Sequence, residues 1–426
     1  MNTLLKNIFF SSPSALLPVF YSLLAVFFAA SYFTYLGHEG REHTISLFGI
    51  GSTIIFLATH LSSFGVDHSI VGDKSNMPKS IIKLDNDKVS VDFRIFFPFI
   101  SPLISTLIVV TLSMVSFNDL IDEMFTYSNN NLLIYIIFTL TIFSSITTKI
   151  LTSFLLIAGL TNLANLFYLG KSLGLMIGIL IFELYYNYSI LIIFFVMELT
   201  SLLLIAGIYI YMLLKSRIAW NKASYQYKYI LSSFNVFGLD AILKIDLLIL
   251  SFFGTSFEVA RYAVLSNVFE GLSQLIISMQ IKYASLLRSV IYAHKVNIST
   301  KLEFQNLLTL ARLISFLFFI AAFLFYTLVF KLPDLAITVL IIIFQFTLIV
   351  AAAPIVTYFT YSILRKPLTL LLITLIGLVG NVVASIMLYN QIGIYGVITA
   401  SLLTFLLFRL TIQKKAFQIF TLDEKI

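Results

Sequence analysis

Residues 189–213 read SILIIFFVMELTSLLLIAGIYIYML, 25 positions carrying one charge, Glu198. An apolar run of that length spans about 30 Å of hydrocarbon as a helix. The rest of the chain repeats the pattern. Of 426 residues, 59% are hydrophobic and 11% charged, whereas soluble domains carry roughly 25% charged residues. So few charges cannot wet a surface of this size, and the apolar excess must face lipid. Apolar runs of 17 or more residues fall at 14–35, 44–66, 95–116, 133–157, 164–184, 189–213, 229–253, 257–280, 306–330, 335–359, 368–389 and 393–411. They are long and continuous, without the period-two alternation of a membrane barrel, so helices are predicted. The fifth is interrupted by Lys171, and the seventh and eighth are the most polar.

The basic residues test this count. With the first residue in the cytoplasm, the inside segments hold 19 Lys and Arg, among them Lys74, Lys79, Lys83, Lys88 and Arg94, and Lys215, Arg217, Lys222 and Lys228. The outside segments hold two, Arg41 and Lys331. Cytoplasmic loops collect Lys and Arg, so the asymmetry predicts an all-α polytopic membrane protein of about 12 transmembrane helices with both termini cytoplasmic. The first run is too long for a signal-peptide core and lacks a small-residue cleavage site, so it is expected to remain as a span.

The chain also has the look of a duplication. The first span ends in Tyr35-Leu36-Gly37 and the seventh in Phe252-Phe253-Gly254, and a short charged stretch follows each, Glu39 to His43 and Glu258 to Arg261. Parallel six-helix halves are a known transporter plan. The expected organisation is an N-terminal six-helix bundle at 1–213, a cytoplasmic linker at 214–228 and a C-terminal six-helix bundle at 229–426. Pro18, Pro98, Pro102 and Pro354 lie inside spans, where proline kinks a helix.

Enzyme signatures fail on inspection. His38-Glu39-Gly40-Arg41-Glu42-His43 resembles a zinc-protease motif, but its histidines are five apart, about 140° around a helix, and zinc needs them four apart. It reads as a polar turn. Asp85-Asn86-Asp87 lies in a cytoplasmic stretch of alternating Lys and Asp and reads as solvated. No phosphate-cradling Gly-x-x-x-x-Gly-Lys run occurs. The longest outside loop, about Phe117 to Asn131, is small for a catalytic domain. With Cys 0 there are no disulfides and no thiolate metal sites. The reading is a non-enzyme with no cofactor, no metal and no nucleic-acid partner.

Charges inside spans are the functional signal, because each costs roughly 2.5–3.5 kcal/mol at mid-membrane on insertion scales. Asp240, Lys244 and Asp246 lie in the seventh span, and Arg261 and Glu270 in the eighth. Lys149, Lys171 and Arg312 sit in the cytoplasmic halves of theirs, Glu198 is mid-span in the sixth, and His60 is in the inner half of the second. One reading is a hydrated cavity whose cations meet an anionic headgroup, Lys as a point charge and Arg as a bidentate fork. The alternatives are structural: Lys149, Lys171 and Arg312 snorkelling to the inner interface, Asp240 pairing with Lys244 four residues on, and Glu258 pairing with Arg261. Glu198 and Glu270 either exchange protons or stay neutral and hydrogen-bonded.

Three stretches carry a family likeness. Tyr35-Leu36-Gly37 through Phe64-Gly65-Val66-Asp67-His68-Ser69-Ile70-Val71, Ile245-Asp246-Leu247-Leu248-Ile249-Leu250 with Phe253-Gly254 and Arg261-Tyr262-Ala263, and Gln391-Ile392-Gly393-Ile394-Tyr395-Gly396-Val397 together span nearly the whole chain. The sequence resembles the polysaccharide-export flippases (Wzx type) of the multidrug/oligosaccharidyl-lipid/polysaccharide (MOP) exporter superfamily. It departs from them in the His38 to His43 turn and in the acidic sixth and eighth helices. The resemblance implies two six-helix bundles around a central cavity in the bacterial inner membrane. It implies alternating-access transfer of an undecaprenyl-pyrophosphate-linked oligosaccharide to the outer leaflet, for O-antigen, capsule or exopolysaccharide, with a polysaccharide polymerase and chain-length regulator as further partners. Asp246 is the cavity residue it carries over. The alternatives are a cation-coupled drug exporter of the same superfamily, which would want acids in the first and seventh helices, and a membrane polymerase or glycosyltransferase.

Overall fold

The computed structural model describes residues 41–63, 82–85, 88–92, 103–104, 106–112, 131–157, 161–184, 190–215, 218–219, 228–263 and 367–421, with single positions at 316, 320, 339 and 343. The predicted spans at 14–35, 306–330 and 335–359, and most of 95–116 and 257–280, fall outside or largely outside these residues.

The described chain is nearly all helical: α1 Arg41–Ser62, α2 Asn131–Ile157, α3 Thr161–Leu184, α4 Leu191–Lys215, α5 Lys228–Phe253, α6 Pro367–Ile392 and α7 Ile394–Thr421. A further helical run covers 256–263. Among the described residues, five helices are long and apolar enough to cross a membrane, within α1, α2, α3, α4 and α6. Lys171 does not break the fifth span, since α3 runs through it.

Local chemistry explains the boundaries. Pro367 opens α6, where its missing N–H is no loss. The amide of Gly254 donates to Leu250 O at 2.7 Å and closes α5. Gly393 sits between α6 and α7 with φ +62, the left-handed conformation glycine adopts without penalty. Inside the helices, several buried hydroxyls donate back to their own backbone, as Thr141 to Ile137 O and Thr148 to Ser144 O, both at 2.7 Å. That satisfies them without water, as a lipid-embedded helix requires.

The burial pattern of α6 is inverted relative to a soluble helix. Leu372, Ile376, Val379, Val383 and Met387 are exposed, while Thr374, Asn381 and Ser385 are fully buried. An apolar outer face with a polar inner one is a helix built for a lipid solvent.

One departure from the all-α expectation is a three-stranded sheet, β1 Ile82–Asp85, β2 Lys88–Asp92 and β3 Ile218–Ala219. β1 and β2 are antiparallel, with Leu84 opposite Val89 and Asp85 opposite Lys88, and β2 pairs with β3 in parallel. The sequence around Asp85 is therefore not simply solvated loop. Its Lys/Asp alternation with Ile, Leu and Val is the period-two pattern of short strands.

The chain divides into two compact units. One contains the described residues up to Gly49 and from Ala241 onward; the other is Ile50–Asp240. The divisions fall within α1 and within α5.

Candidate functional site: two buried carboxylates

In the unit that includes Ala241 onward, Asp246 projects from the middle of α5 and is 0% exposed. Its carboxylate is held by neutral donors from three other segments. Tyr262 Oη donates to Oδ2 at 2.6 Å, Asn381 Nδ2 to Oδ1 at 3.1 Å, and Ser401 Oγ to Oδ1 at 2.5 Å. Asn381 Oδ1 lies 3.1 Å from Ser401 Oγ and 3.3 Å from Ser385 Oγ, and Asn381 Nδ2 also reaches Ile242 O at 3.5 Å. The knot thus joins α5, the run 256–263, α6 and α7. Two of its donors answer one oxygen and the third answers the other, so both carboxylate oxygens are satisfied, the condition for keeping such a group buried.

The backbone brings these side chains together through tight spots. A Cβ at Gly49 of α1 would run into Ala263 Cβ and lie 3.5 Å from Leu247. At Gly396 it would overlap the Leu388 backbone, which draws α7 close to α6. The cations predicted nearby are also buried, Lys244 at 8% and Arg261 at 4% exposure. The Arg261 guanidinium stacks 4.9 Å from the Phe257 ring centroid, within cation–π range. Glu258 does not serve Arg261 as the sequence suggested. Its Oε2 accepts from Thr255 N at 2.9 Å and Oγ1 at 3.2 Å, while its amide donates to Thr255 Oγ1 at 3.3 Å. That reciprocal pair is a capping box at the start of the run.

The second carboxylate is in the unit Ile50–Asp240. Glu198 of α4 is 1% exposed and forms an ion pair with Lys171 of α3, Nζ to Oε1 2.7 Å. Lys171 Nζ also sits 4.8 Å from the Phe167 ring centroid. The helices carrying the pair touch backbone to backbone. Gly170, Gly174 and Gly178, spaced four apart on α3, face Ser201, Met197 and Ile193, spaced four apart on α4. A Cβ on them would stand 2.8, 2.6 and 2.9 Å from those residues' Cα atoms. Small residues at this period let membrane helices approach closely.

Lys149 is half-buried on α2. His60 Nδ1 lies 2.8 Å from Phe56 O of its own helix. Asp240 lies on α5, but its side chain is outside the described residues, as are Glu270 and Arg312. Tyr262, Asn381, Ser385 and Ser401 were not singled out from sequence. Among the described residues no three His, Asp or Glu side chains converge as a metal site would need.

No protein-family model matches the chain, and no curated protein matches it significantly in sequence. Solved structures do. A multidrug resistance MATE family transporter of the MOP superfamily in an inward-facing conformation superposes with TM-score 0.57 at 14% identity, covering 96% of this chain and 99% of that one. An outward-facing transporter of that family gives 0.55 at 11%, covering 97% and 95%. A MATE in a bent conformation gives 0.55 at 13%, covering 97% and 95%. The fold is that of the MATE transporters. These relatives are transporters rather than enzymes, and the apolar helices make the chain a multi-pass membrane protein.

Proposed function

We infer that this chain is a flippase that moves an undecaprenyl-pyrophosphate-linked oligosaccharide from the inner to the outer leaflet of the bacterial inner membrane. In this reading twelve spans form the bundles 1–213 and 229–426, joined by the cytoplasmic linker 214–228, with both ends in the cytoplasm. The transporter fold supports it, as do the three stretches that resemble polysaccharide-export flippases. The observation that carries it is that two cations, Lys244 and Arg261, are each less than one-tenth exposed in the unit that also holds the Asp246 knot. Burying cations is costly, and an anionic pyrophosphate cargo gives that cost a use. Lys149 and Arg312 are further candidates for the headgroup, and Glu270 is a candidate cavity charge. Lys171 engages Glu198, so a headgroup would have to compete with that carboxylate. A polysaccharide polymerase and a chain-length regulator are the proposed partners.

The test is deletion of the gene in a strain that makes a surface polysaccharide. Lipid-linked repeat units should accumulate on the inner leaflet, and Lys244→Ala or Arg261→Ala should fail to restore export while still inserting. Unchanged surface polysaccharide in the deletion strain rejects the reading.

A second reading has its own observation. The Asp246 knot puts a carboxylate, two serine hydroxyls and an amide oxygen together on the seventh span and its neighbours. Hard oxygens of this kind suit a monovalent cation or a proton, as a cation-coupled multidrug exporter needs. The first span contains no acid, which leaves that mechanism with half of the pattern it wants. Drug sensitivity on deletion, with surface sugar intact, would favour it.

A further inference from the structure

The small sheet has two unlike faces. Ile82 stands opposite Val91 and Leu84 opposite Val89, and β3 extends the first row with Ile218 beside Val91. Directly paired residues share a face, and successive residues alternate between faces. Ile82, Leu84, Val89, Val91 and Ile218 therefore fall on one face, whereas Lys83, Asp85, Lys88, Ser90 and Asp92 fall on the other. Strands of four, five and two residues enclose no core of their own. A sheet this small needs its apolar face covered.

Its position says what covers it. The apolar run of α4 ends at Lys215, and exposed apolar residues continue into its last turns, Ile210 at 54% and Tyr211 at 58%. Tyrosine at a span end marks the headgroup level. β3 begins at Ile218, three residues beyond Lys215, so it lies within about 11 Å of the span end even at full extension. β2 packs against α4, which holds the rest of the sheet beside the same helix. The open edges bound the depth from the other side. Among the described residues β1 and β3 are the outer strands, and unpaired backbone edges are not tolerated in hydrocarbon. The sheet can lie where headgroups meet acyl chains, and no deeper.

We propose that this sheet is a membrane-surface element, its apolar face resting on the lipid headgroup–acyl boundary beside the end of α4 and its polar face turned to water. An amphipathic element lying in the interface plane buries its apolar face in this way. The bilayer is the occupant because the face continues the band of exposed apolar residues that α4 already presents. Charge does not choose the partner, since Asp85 stands opposite Lys88 on the polar face. Through β3, the sheet fixes the start of the segment between α4 and α5 at the membrane surface. The proposal does not depend on what the transporter carries.

The chain contains no cysteine, so an introduced one is unique. Nitroxide labels are placed on L84C and V91C, on the apolar face, and on K83C and S90C, on the polar face. The full-length protein is reconstituted in vesicles of phosphatidylethanolamine and phosphatidylglycerol. Collision with oxygen, which concentrates in the acyl region, is compared with collision with a water-soluble nickel chelate. Labels at 84 and 91 should favour oxygen severalfold, and labels at 83 and 90 should favour the chelate. Labels at 84 and 91 shielded from both reagents would show that protein covers the face and would overturn the proposal. Labels at 84 and 91 that meet the chelate as often as those at 83 and 90 would put the sheet in water and overturn it equally. If L84C or V91C does not insert, V89C and I218C on the same face, with A219C on the opposite one, carry the same test.

Discussion

The two buried carboxylates solve one problem in opposite ways. Asp246 is surrounded by neutral hydroxyl and amide donors drawn from three other segments. Glu198 faces one full cation across a seam of glycines. In the first case the charge is spread over many weak, neutral contacts, so each partner can be altered with a graded loss. In the second it is concentrated in a single contact inside a frame that cannot relax. A charge held by neutral donors works as a tie between helices, whereas a charge held by one opposite charge depends on that single partner.

The seam should break most severely. Gly174→Leu would force a side chain into a place where even a Cβ lies 2.6 Å from Met197 Cα. Overpacking typically costs 1–3 kcal/mol, and with backbone on the far side the loss should reach or exceed about 3 kcal/mol. Thermal unfolding in lipid or detergent should show a large drop or no folded protein. A stability near wild type would mean that α3 and α4 do not meet as described.

Next comes the ion pair. Glu198→Leu removes the carboxylate facing Lys171, and breaking a buried pair from one side costs about 3–5 kcal/mol; the partial exposure of Lys171 puts this case at the low end. The double variant Lys171→Met with Glu198→Leu should recover most of the loss, because two apolar chains of similar volume need no desolvation. A double variant no more stable than the single one would show that the pair contributes beyond its charge balance.

The sequence announces these regions unequally. The apolar runs locate most of the described helices to within a few residues, because lipid demands about 20 apolar positions per span, and α3 and α4 fall where 164–184 and 189–213 were expected. The glycine seam is also legible, since Gly170, Gly174 and Gly178 are visibly four apart, but a reading that stops at Lys171 as an interruption passes over it. The Asp246 knot is not legible. Asn381 and Ser401 lie 135 and 155 positions away, and nothing in their local sequence marks them apart from other small polar residues in apolar helices. The strands were missed because four or five alternating residues carry little signal beside helices of more than 20.

The knot, in contrast to the pair, should yield by degrees. Tyr262→Phe removes one of three donors and leaves the ring in place. A hydrogen bond to a charged group is worth about 1.5–3 kcal/mol, so the loss should fall in that range. Ser401→Ala should cost a comparable amount, and the two together less than their sum, since both act on the same carboxylate. Strict additivity would say that the donors do not share Asp246.

The smallest effect belongs to the turn that enters the knot. Thr255→Ala removes the hydroxyl that receives the Glu258 amide and donates to its carboxylate. Loss of such a cap costs about 1 kcal/mol. The bond from the Thr255 amide to the Glu258 carboxylate at 2.9 Å survives, so the run 256–263 should still start at the same place and Tyr262 should still reach Asp246. A thermal shift of a few degrees with transport unchanged is therefore the expected outcome. If transport falls more than stability does, the start of this run sets the position of Tyr262, and the knot depends on its approach as well as on its donors.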